Sequence, residues 1–156
     1  MNCLGRVEYH DEISFYVNSK LELKGKILID KNSYCEGIIH DNYNNSYFVF
    51  GTFVKFNYLD LYIVINNSQV YRYCATKGYL KYNGKYSLVN SDIEYDFYLK
   101  VRGLNVDSRE CGSNNPMYLF LEELNKFRDN WLLDSNNNSI YNELVPINDG
   151  RSKLQK

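Results

Sequence analysis

Histidine and carboxylate side chains are the usual general acids and bases of enzymes, and this sequence brings one such pair close together. It contains only two histidines, His10 and His40. Residues 34–40 alternate like a β-strand, which places Glu36 and His40 on the same face. If that face points into a cavity, the two side chains form a buried polar pair with shifted pKa values. If it points outward, both side chains lie in water.

The sequence is rich in tyrosine, with 16 in 156 residues, and several of these lie on consecutive predicted strands. Tyrosines that line a cup can hold a small apolar or planar ligand with their rings and hydroxyls. On the outer surface the same residues form an aromatic patch suited to protein contact. We predict a ligand site made by Glu36, His40, Tyr71, Tyr73, Tyr82, Tyr86 and Tyr95.

Other motifs of catalysis and cofactor binding are missing from the sequence. No serine lies in a nucleophile elbow, no glycine-rich loop precedes a helix to hold phosphate, and no carboxylate cluster has metal-ligand spacing. The cysteines, Cys3, Cys35, Cys74 and Cys111, are widely scattered, which is typical of reduced cytosolic thiols and not of zinc ligands. We therefore predict that the protein is not an enzyme and has no catalytic residue, metal site or cofactor.

The charge balance and the absence of long apolar segments limit the classes of partner that we expect. The sequence contains 18 basic and 19 acidic residues, and no basic stripe of the kind that binds nucleic acid is visible. Residues 1–12 lack the apolar segment of a signal peptide, and no stretch approaches the ~18 apolar residues of a membrane span. We predict a cytoplasmic protein that binds neither nucleic acid nor membrane.

The elements that must position these side chains are short, apolar-alternating runs between residues 20 and 102. The cleanest alternation extends from Ile93 to Val101, and residues 13–17 add a possible early strand. Residues 79–88 form either one bulged strand or two strands around Asn83-Gly84. Seven or eight antiparallel strands with one apolar side must close to bury it. The pattern predicts a mainly β protein, an antiparallel up-and-down β-barrel or barrel-like sandwich.

After Gly103 the pattern changes from strand to helix. Asn115 and Pro116 are a typical helix start, an N-cap followed by proline at the first helical position. Apolar residues then recur at helical spacing as far as Trp131. We predict one C-terminal helix, residues 116–133, which covers a barrel mouth or a sheet face; a dimer or partner interface is the alternative. A single domain then spans residues 1–138, followed by a polar, mobile tail, residues 139–156.

Glycine lies beside apolar or aromatic residues in four segments within residues 20–102, namely Gly25-Lys26-Ile27, Glu36-Gly37-Ile38, Phe50-Gly51-Thr52-Phe53 and Tyr82-Asn83-Gly84-Lys85-Tyr86. In this pattern the chain resembles calycin-like proteins, the group of lipocalins, avidins and fatty-acid-binding proteins. The Gly-x-Trp motif of the first lipocalin strand is absent, because the only tryptophan is Trp131. The resemblance implies a barrel that holds a small ligand, and it transfers no individual site residue.

Together these patterns favour a non-catalytic binding module that holds a small apolar or aromatic ligand in the barrel. The alternative is a protein-protein interaction module, whose partner is another protein or a second copy of this chain. Such a module would use an aromatic surface patch or the C-terminal helix. The main argument against a ligand in the barrel is that large aromatic residues are numerous enough to fill its interior.

Overall fold

A computed structural model describes residues 7–104 and 116–144 of the chain. Its eight antiparallel strands pair in sequence order, and the first strand also pairs with the last, so the sheet closes into a barrel. The predicted fold class is therefore confirmed. The elements are β1 (Val7–Val17), β2 (Lys20–Asp30), β3 (Tyr34–His40), β4 (Ser46–Val54), β5 (Tyr58–Asn66), β6 (Gln69–Lys77), β7 (Tyr82–Leu88), β8 (Tyr95–Leu104), α1 (Pro116–Leu132) and α2 (Ser135–Leu144).

The barrel begins earlier than residue 20, because β1 is a full strand that pairs with both β2 and β8. Its first half was hard to recognise, since Asp11 occupies an inward position where alternation predicts an apolar residue. At the other end of the barrel, β8 starts at Tyr95 and leaves Ile93 exposed in the preceding loop.

Residues 79–88 contain one strand, β7, and Gly84 lies within it. A Cβ atom at Gly84 would lie 1.8 Å from the carbonyl oxygen of Cys74 on β6. Gly51 on β4 has a φ of +148°, and a Cβ there would lie 2.2 Å from the carbonyl oxygen of Asp60. Only glycine fits at these two positions, so they allow the strands to coil tightly into a closed barrel.

The middle of the barrel is filled with apolar side chains from all eight strands. These side chains are fully or almost fully buried and form one continuous cluster. A deep ligand cavity is therefore ruled out at this level of the barrel. The cluster includes Ile13, Phe15, Ile27, Ile39, Val49, Phe53, Leu61, Tyr73, Tyr82, Phe97 and Leu99.

One end of the barrel, which we call the closed end, is covered by the loop between β4 and β5. The Lys55 Nζ atom lies 2.7 and 2.6 Å from the two carboxylate oxygens of the buried Asp11. It also lies 4.5 Å from the centre of the Tyr9 ring. The Phe56 backbone N–H donates a 3.0 Å hydrogen bond to the Tyr82 hydroxyl. These contacts hold the loop across the barrel.

Both helices pack on the outer face of the barrel and form a second apolar cluster with it. Strands β3, β4 and β5 are buried on both faces, because one face lines the interior and the other lies under the helices. This arrangement accounts for their nearly continuous apolar runs. The predicted packing of the C-terminal helix is thus confirmed, and the helix covers a sheet face. Its predicted N-cap, Asn115, lies outside the described residues.

The second helix, α2, has no counterpart in the predicted elements. Its sequence begins with a polar run of serine and asparagine, a composition that favours turns over helices. Tyr141 docks it against the barrel and is 1% exposed. Residues 139–144 of the predicted tail therefore belong to the folded domain, and residues 145–156 lie outside the described part. Neither helix in residues 116–144 is long and apolar enough to cross a membrane.

Candidate functional site

The end of the barrel opposite Lys55 is open and holds a cavity of about 400 Å³, which we call the cup. Neighbouring strands run in opposite directions, so the starts of β4 and β6 meet the ends of β5 and β7 at this end. Aromatic, apolar and acidic side chains line the cup. They are Tyr43, Tyr47, Tyr71, Tyr73 and Tyr86, with Val17, Leu23 and Ile65, and with Glu22, Asp41 and Asn42.

The floor of the cup is Tyr73, which is only 6% exposed. Its ring centre lies 5.1 Å from that of Phe15 and 5.0 Å from that of Phe97, both with edge-to-face geometry. Tyr86 stacks against Tyr73 at 4.8 Å, and Tyr71 is tilted by 59° from Tyr86 with its ring centre 6.0 Å away. The packed core therefore ends in a set of tyrosine rings that pack against one another.

The hydroxyls of these tyrosines are available to a ligand. Within the described part of the chain, Tyr71, Tyr73 and Tyr86 make no hydrogen bond through their hydroxyls. Burial, followed by the negative charge of neighbouring groups, raises the pKa of Tyr73 and of Tyr86. Both phenols are therefore neutral at physiological pH and can donate as well as accept hydrogen bonds.

Asp41 begins the loop between β3 and β4 and organises one wall of the cup. Its Oδ1 accepts hydrogen bonds from the backbone N–H groups of Tyr43 and Asn45, at 2.8 and 3.0 Å. Its Oδ2 accepts from the Asn45 amide at 3.0 Å and from the Tyr47 hydroxyl at 2.8 Å. Desolvation raises the pKa of Asp41, but these hydrogen bonds together outweigh it and lower the pKa to about 2. Asp41 is therefore ionised at the cup's edge.

Glu22 is the second acidic residue of the cup. It lies on β2 beside an irregularity in the pairing with β1, where Phe15 pairs with Leu23 and Tyr16 with Leu21. Glu22 is the extra, unpaired residue of this β-bulge, and its side chain lines the cavity. Its negative charge adds to the effects of burial and of the neighbouring tyrosines, which raise the pKa values of Tyr73 and Tyr86.

The structure brings together three of the tyrosines predicted to bind a ligand, Tyr71, Tyr73 and Tyr86. Tyr95 is 50% exposed at the rim, with its ring centre 5.3 Å from that of Tyr86. Tyr82 lies at the closed end, because it is near the start of β7 and Tyr86 is near its end. It is 3% exposed and does not line the cup.

Glu36 and His40 share a face of β3, as alternation predicts, and this face points away from the barrel interior. They do not form a pair. His40 is exposed, and its Nδ1 lies 2.8 Å from the Ser46 hydroxyl. Glu36 is fully buried beneath the helices. Both predicted environments, a shared cavity and open water, are therefore wrong for Glu36, because the helices cover only part of this face.

Glu36 is the centre of a buried polar cluster that joins the helices to the barrel. Arg128 on α1 donates a 2.8 Å hydrogen bond from Nη1 to Glu36 Oε1. Tyr34 and Tyr141 donate hydroxyl hydrogen bonds to Oε2, the second at 3.0 Å. Burial raises the pKa of Glu36 against the opposing effects of Arg128 and the two hydroxyls. All four residues are at most 7% exposed, so the cluster is structural.

Sequence reasoning missed Glu22, Asp41 and Tyr47 in the cup and Arg128 in the buried cluster. A signal for Arg128 was present, because it lies in phase with Leu121, Leu124 and Trp131 on the apolar stripe of α1. A charged residue in such a stripe indicates a buried partner. The acidic residues of the cup have no comparable signal, since loops and exposed strand positions are ordinarily charged.

Two larger grooves lie on the outer surface, and both contain charged groups that are already paired. One, of about 540 Å³, contains Asp60 and Arg72, which form a two-pronged ion pair at 2.6 and 2.9 Å. The other, of about 640 Å³, contains His40 and Glu12, and Arg102 contacts Glu12 at 3.2 Å. Among the described residues, no three histidine, cysteine or acidic side chains are grouped to hold a metal ion.

The chain has no significant match to a protein-family model, a curated protein or a solved structure. Its function is therefore inferred from the geometry and chemistry of the cup.

Proposed function

We propose that this protein is a non-catalytic binding module that holds a small ligand with an aromatic or apolar body in the cup. The observation that carries the proposal is the set of buried or half-buried tyrosines, Tyr71, Tyr73 and Tyr86, whose hydroxyls have no partner within the described residues. The ligand is placed at the open end of the barrel, because the middle is filled by the apolar core.

The size and lining of the cup suit a small ligand. Its volume of about 400 Å³ lies within the range of small-molecule sites, which combine apolar walls with a few polar groups. Leu23, Ile65 and the tyrosine rings supply the apolar walls. The hydroxyls and the two carboxylates supply the directional contacts.

The calycin resemblance supports this proposal. The eight-stranded up-and-down barrel is the architecture in which lipocalins hold one small ligand. In this protein the floor of the site lies closer to the open end of the barrel, because Phe15, Tyr73 and Phe97 fill the space beneath it. The ligand is correspondingly small.

The distribution of reactive side chains supports binding without catalysis. His40 and His10 lie on the outer face of the barrel, and the buried Cys35 lies inside the packed core. Cys74 is exposed on the outer face and approaches Asp60 at 3.5 Å. No described residue of the cup is a histidine or a cysteine, the most common general base and the strongest nucleophile.

Binding of indole, a neutral planar probe, tests the proposal. We expect saturable NMR shifts of the tyrosine ring signals of the cup as indole is added to the full chain. Tyr86→Leu removes a ring and a hydroxyl from the cup and should weaken binding by about tenfold, since a stacked aromatic contact is worth roughly 1 kcal/mol beyond its area.

The matched control is Tyr98→Leu, which removes a tyrosine that stacks on Tyr16 outside the barrel. It should leave indole binding unchanged. Tyr71→Leu provides a second cup variant in case Tyr86→Leu does not fold. Absence of saturable shifts, or equal weakening by Tyr98→Leu, would contradict the proposal.

Protein binding is the second candidate function, and exposed residues at the closed end favour it. Phe56, Tyr79 and Leu80 are 71, 92 and 76% exposed on neighbouring loops, which are joined by the hydrogen bond from Lys77 N–H to the Asn57 carbonyl at 2.8 Å. The apolar stripe of α1 gives no such support, because it is buried against the barrel. Native mass spectrometry that finds a dimer or a bound protein, and no small molecule, would favour this candidate.

A further inference from the structure

We propose that the cup selects a small organic monocation, a quaternary or methylated ammonium group on an apolar body, over neutral and anionic molecules of the same shape. This inference rests on the proposed function and adds the charge of the ligand to it. It is carried by two acidic side chains and a set of tyrosine rings that share one cavity.

The charged groups of the cup are all of one sign. Glu22 and Asp41 line it, and no lysine, arginine or histidine is among its described lining residues. This is unusual for the protein, whose whole sequence has 18 basic and 19 acidic residues. The cup is therefore a local region of negative potential on a nearly neutral molecule.

Neither carboxylate is neutralised by a cation within the described part of the chain. The donors to Asp41 are all neutral, namely backbone N–H groups, an amide and the Tyr47 hydroxyl. Glu22 makes no ion pair there. Several acidic residues elsewhere on the barrel have a basic partner, as Asp60 has in Arg72 and Asp11 in Lys55. The cup thus lacks the positive partner that these other sites contain.

The tyrosine rings add a second attraction for a cation. An aromatic ring carries negative potential on its face, and an ammonium group within about 6 Å of the ring centre is attracted to it. The rings of Tyr71 and Tyr86 meet at 59° and form two walls of a corner. An alkylated ammonium group placed there would contact ring faces and remain near the carboxylates. Its methyl groups would also bury apolar surface, which a small hydrated metal ion cannot do.

The same features disfavour other ligand classes. A carboxylate or phosphate group would share the cavity with the negative charges of Glu22 and Asp41 and would be repelled. A neutral molecule of the same shape would gain the apolar contacts without the electrostatic ones. The cup therefore distinguishes these ligands by charge more strongly than by shape.

Choline and its neutral isostere 3,3-dimethylbutan-1-ol test the inference directly, because they differ in shape very little and in charge by one unit. Both are titrated into the full chain and followed by NMR shifts of the cup tyrosines. We expect choline to bind about tenfold more tightly, and this preference to shrink in high salt.

A pair of isosteric variants tests the part played by Glu22. Glu22→Gln should reduce the affinity for choline by about fivefold and leave the affinity for 3,3-dimethylbutan-1-ol unchanged. Glu8→Gln is the matched control, since it removes the same charge from an exposed position at the start of β1, far from the cup. It should change neither affinity.

Equal affinity for choline and its isostere, or an equal effect of Glu22→Gln on both, would overturn the inference. Indole binding separates this failure from that of the proposed function. If indole binds and choline shows no preference, the cup is a binding site without charge selection. If no probe binds, including indole, the proposed function fails as well.

Discussion

At the scale of single residues, the most consequential contact is the one between Glu36 and Arg128. It joins β3 to α1 across 92 positions of sequence and is almost completely shielded from water. Removing one member of a buried ion pair leaves an uncompensated charge, which is usually more costly than the pair is stabilising. The two hydroxyls from Tyr34 and Tyr141 complete the hydrogen bonding of the carboxylate.

Arg128→Met tests this role, because methionine retains much of the apolar length of arginine and removes its charge. We expect the free energy of unfolding at pH 7 to fall by about 3–5 kcal/mol in urea titrations. The double variant Glu36→Gln/Arg128→Met should recover part of this loss, since it removes the unpaired carboxylate. No recovery in the double variant would show that Arg128 acts through packing alone.

The pH dependence of stability gives the same variants a second readout. Burial raises the folded-state pKa of Glu36 above its ordinary 4.5, and Arg128 lowers it. Protonated Glu36 therefore makes its full contribution to the free energy of unfolding below pH 4.5. This contribution is lost as the pH rises through the folded-state pKa of Glu36. In Arg128→Met that pKa is higher still, so the loss extends to higher pH. Parallel stability curves for Arg128→Met and the native protein would contradict this assignment.

At the scale of elements, the helices complete the barrel by covering the outer faces of β3, β4 and β5. Residues of α1 supply the apolar cover, and Trp131 lies 5.7 Å from the ring of Phe50 and 6.2 Å from that of Phe48. The helices are therefore integral to the domain and leave the cup open at the end of the barrel.

Two leucines of α1 offer a matched test of this docking. Leu121 is fully buried, whereas Leu119 is 49% exposed on the same helix. Leu121→Ala should lower the free energy of unfolding by about 2–5 kcal/mol, through lost contacts and the cavity left behind. Leu119→Ala changes helix propensity equally and should cost less than about 1 kcal/mol. Equal losses for the two variants in urea titrations would show that α1 is not docked as described.

At the scale of the whole molecule, the packed middle of the barrel separates two ends of different character. The closed end is held by the ion pair between Lys55 and the buried Asp11. The open end holds the cup. Layers of core side chains, including Phe15, Phe53 and Phe97, lie between them.

Lys55→Met tests whether the two ends are independent. The variant leaves Asp11 buried without its partner, so the free energy of unfolding should fall by roughly 3 kcal/mol. The affinity of the folded protein for indole should remain within about twofold, because the core between the ends is unchanged. A parallel loss of stability and indole affinity, measured by urea titration and NMR, would show that the ends are coupled.

The sequence by itself determined the elements whose signals are local. Alternation predicted the bounds of β3 and the common face of Glu36 and His40, and the apolar stripe with Pro116 predicted α1. These features depend only on the periodicity of a strand or a helix, which neighbouring residues reveal. The first half of β1 and the whole of α2 could not be predicted from the sequence, because both are rich in polar residues. The burial of such residues depends on partners that are distant in sequence.

Only the tertiary structure decided which strand face lines the barrel, which face the helices cover and which tyrosines meet. In β3, β4 and β5 both faces are largely apolar, so alternation distinguishes two sides without saying which is inside. The prediction for Glu36 is therefore correct about its strand face and wrong about its surroundings, since Glu36 is buried beneath the helices. Tyr82 and Tyr86 share one strand and one face, yet only Tyr86 reaches the cup, because Tyr82 lies near the start of β7 and Tyr86 near its end. Which end of the barrel forms the cup depends on how all the strands pair and on which loop covers the other end, and no local pattern contains this information.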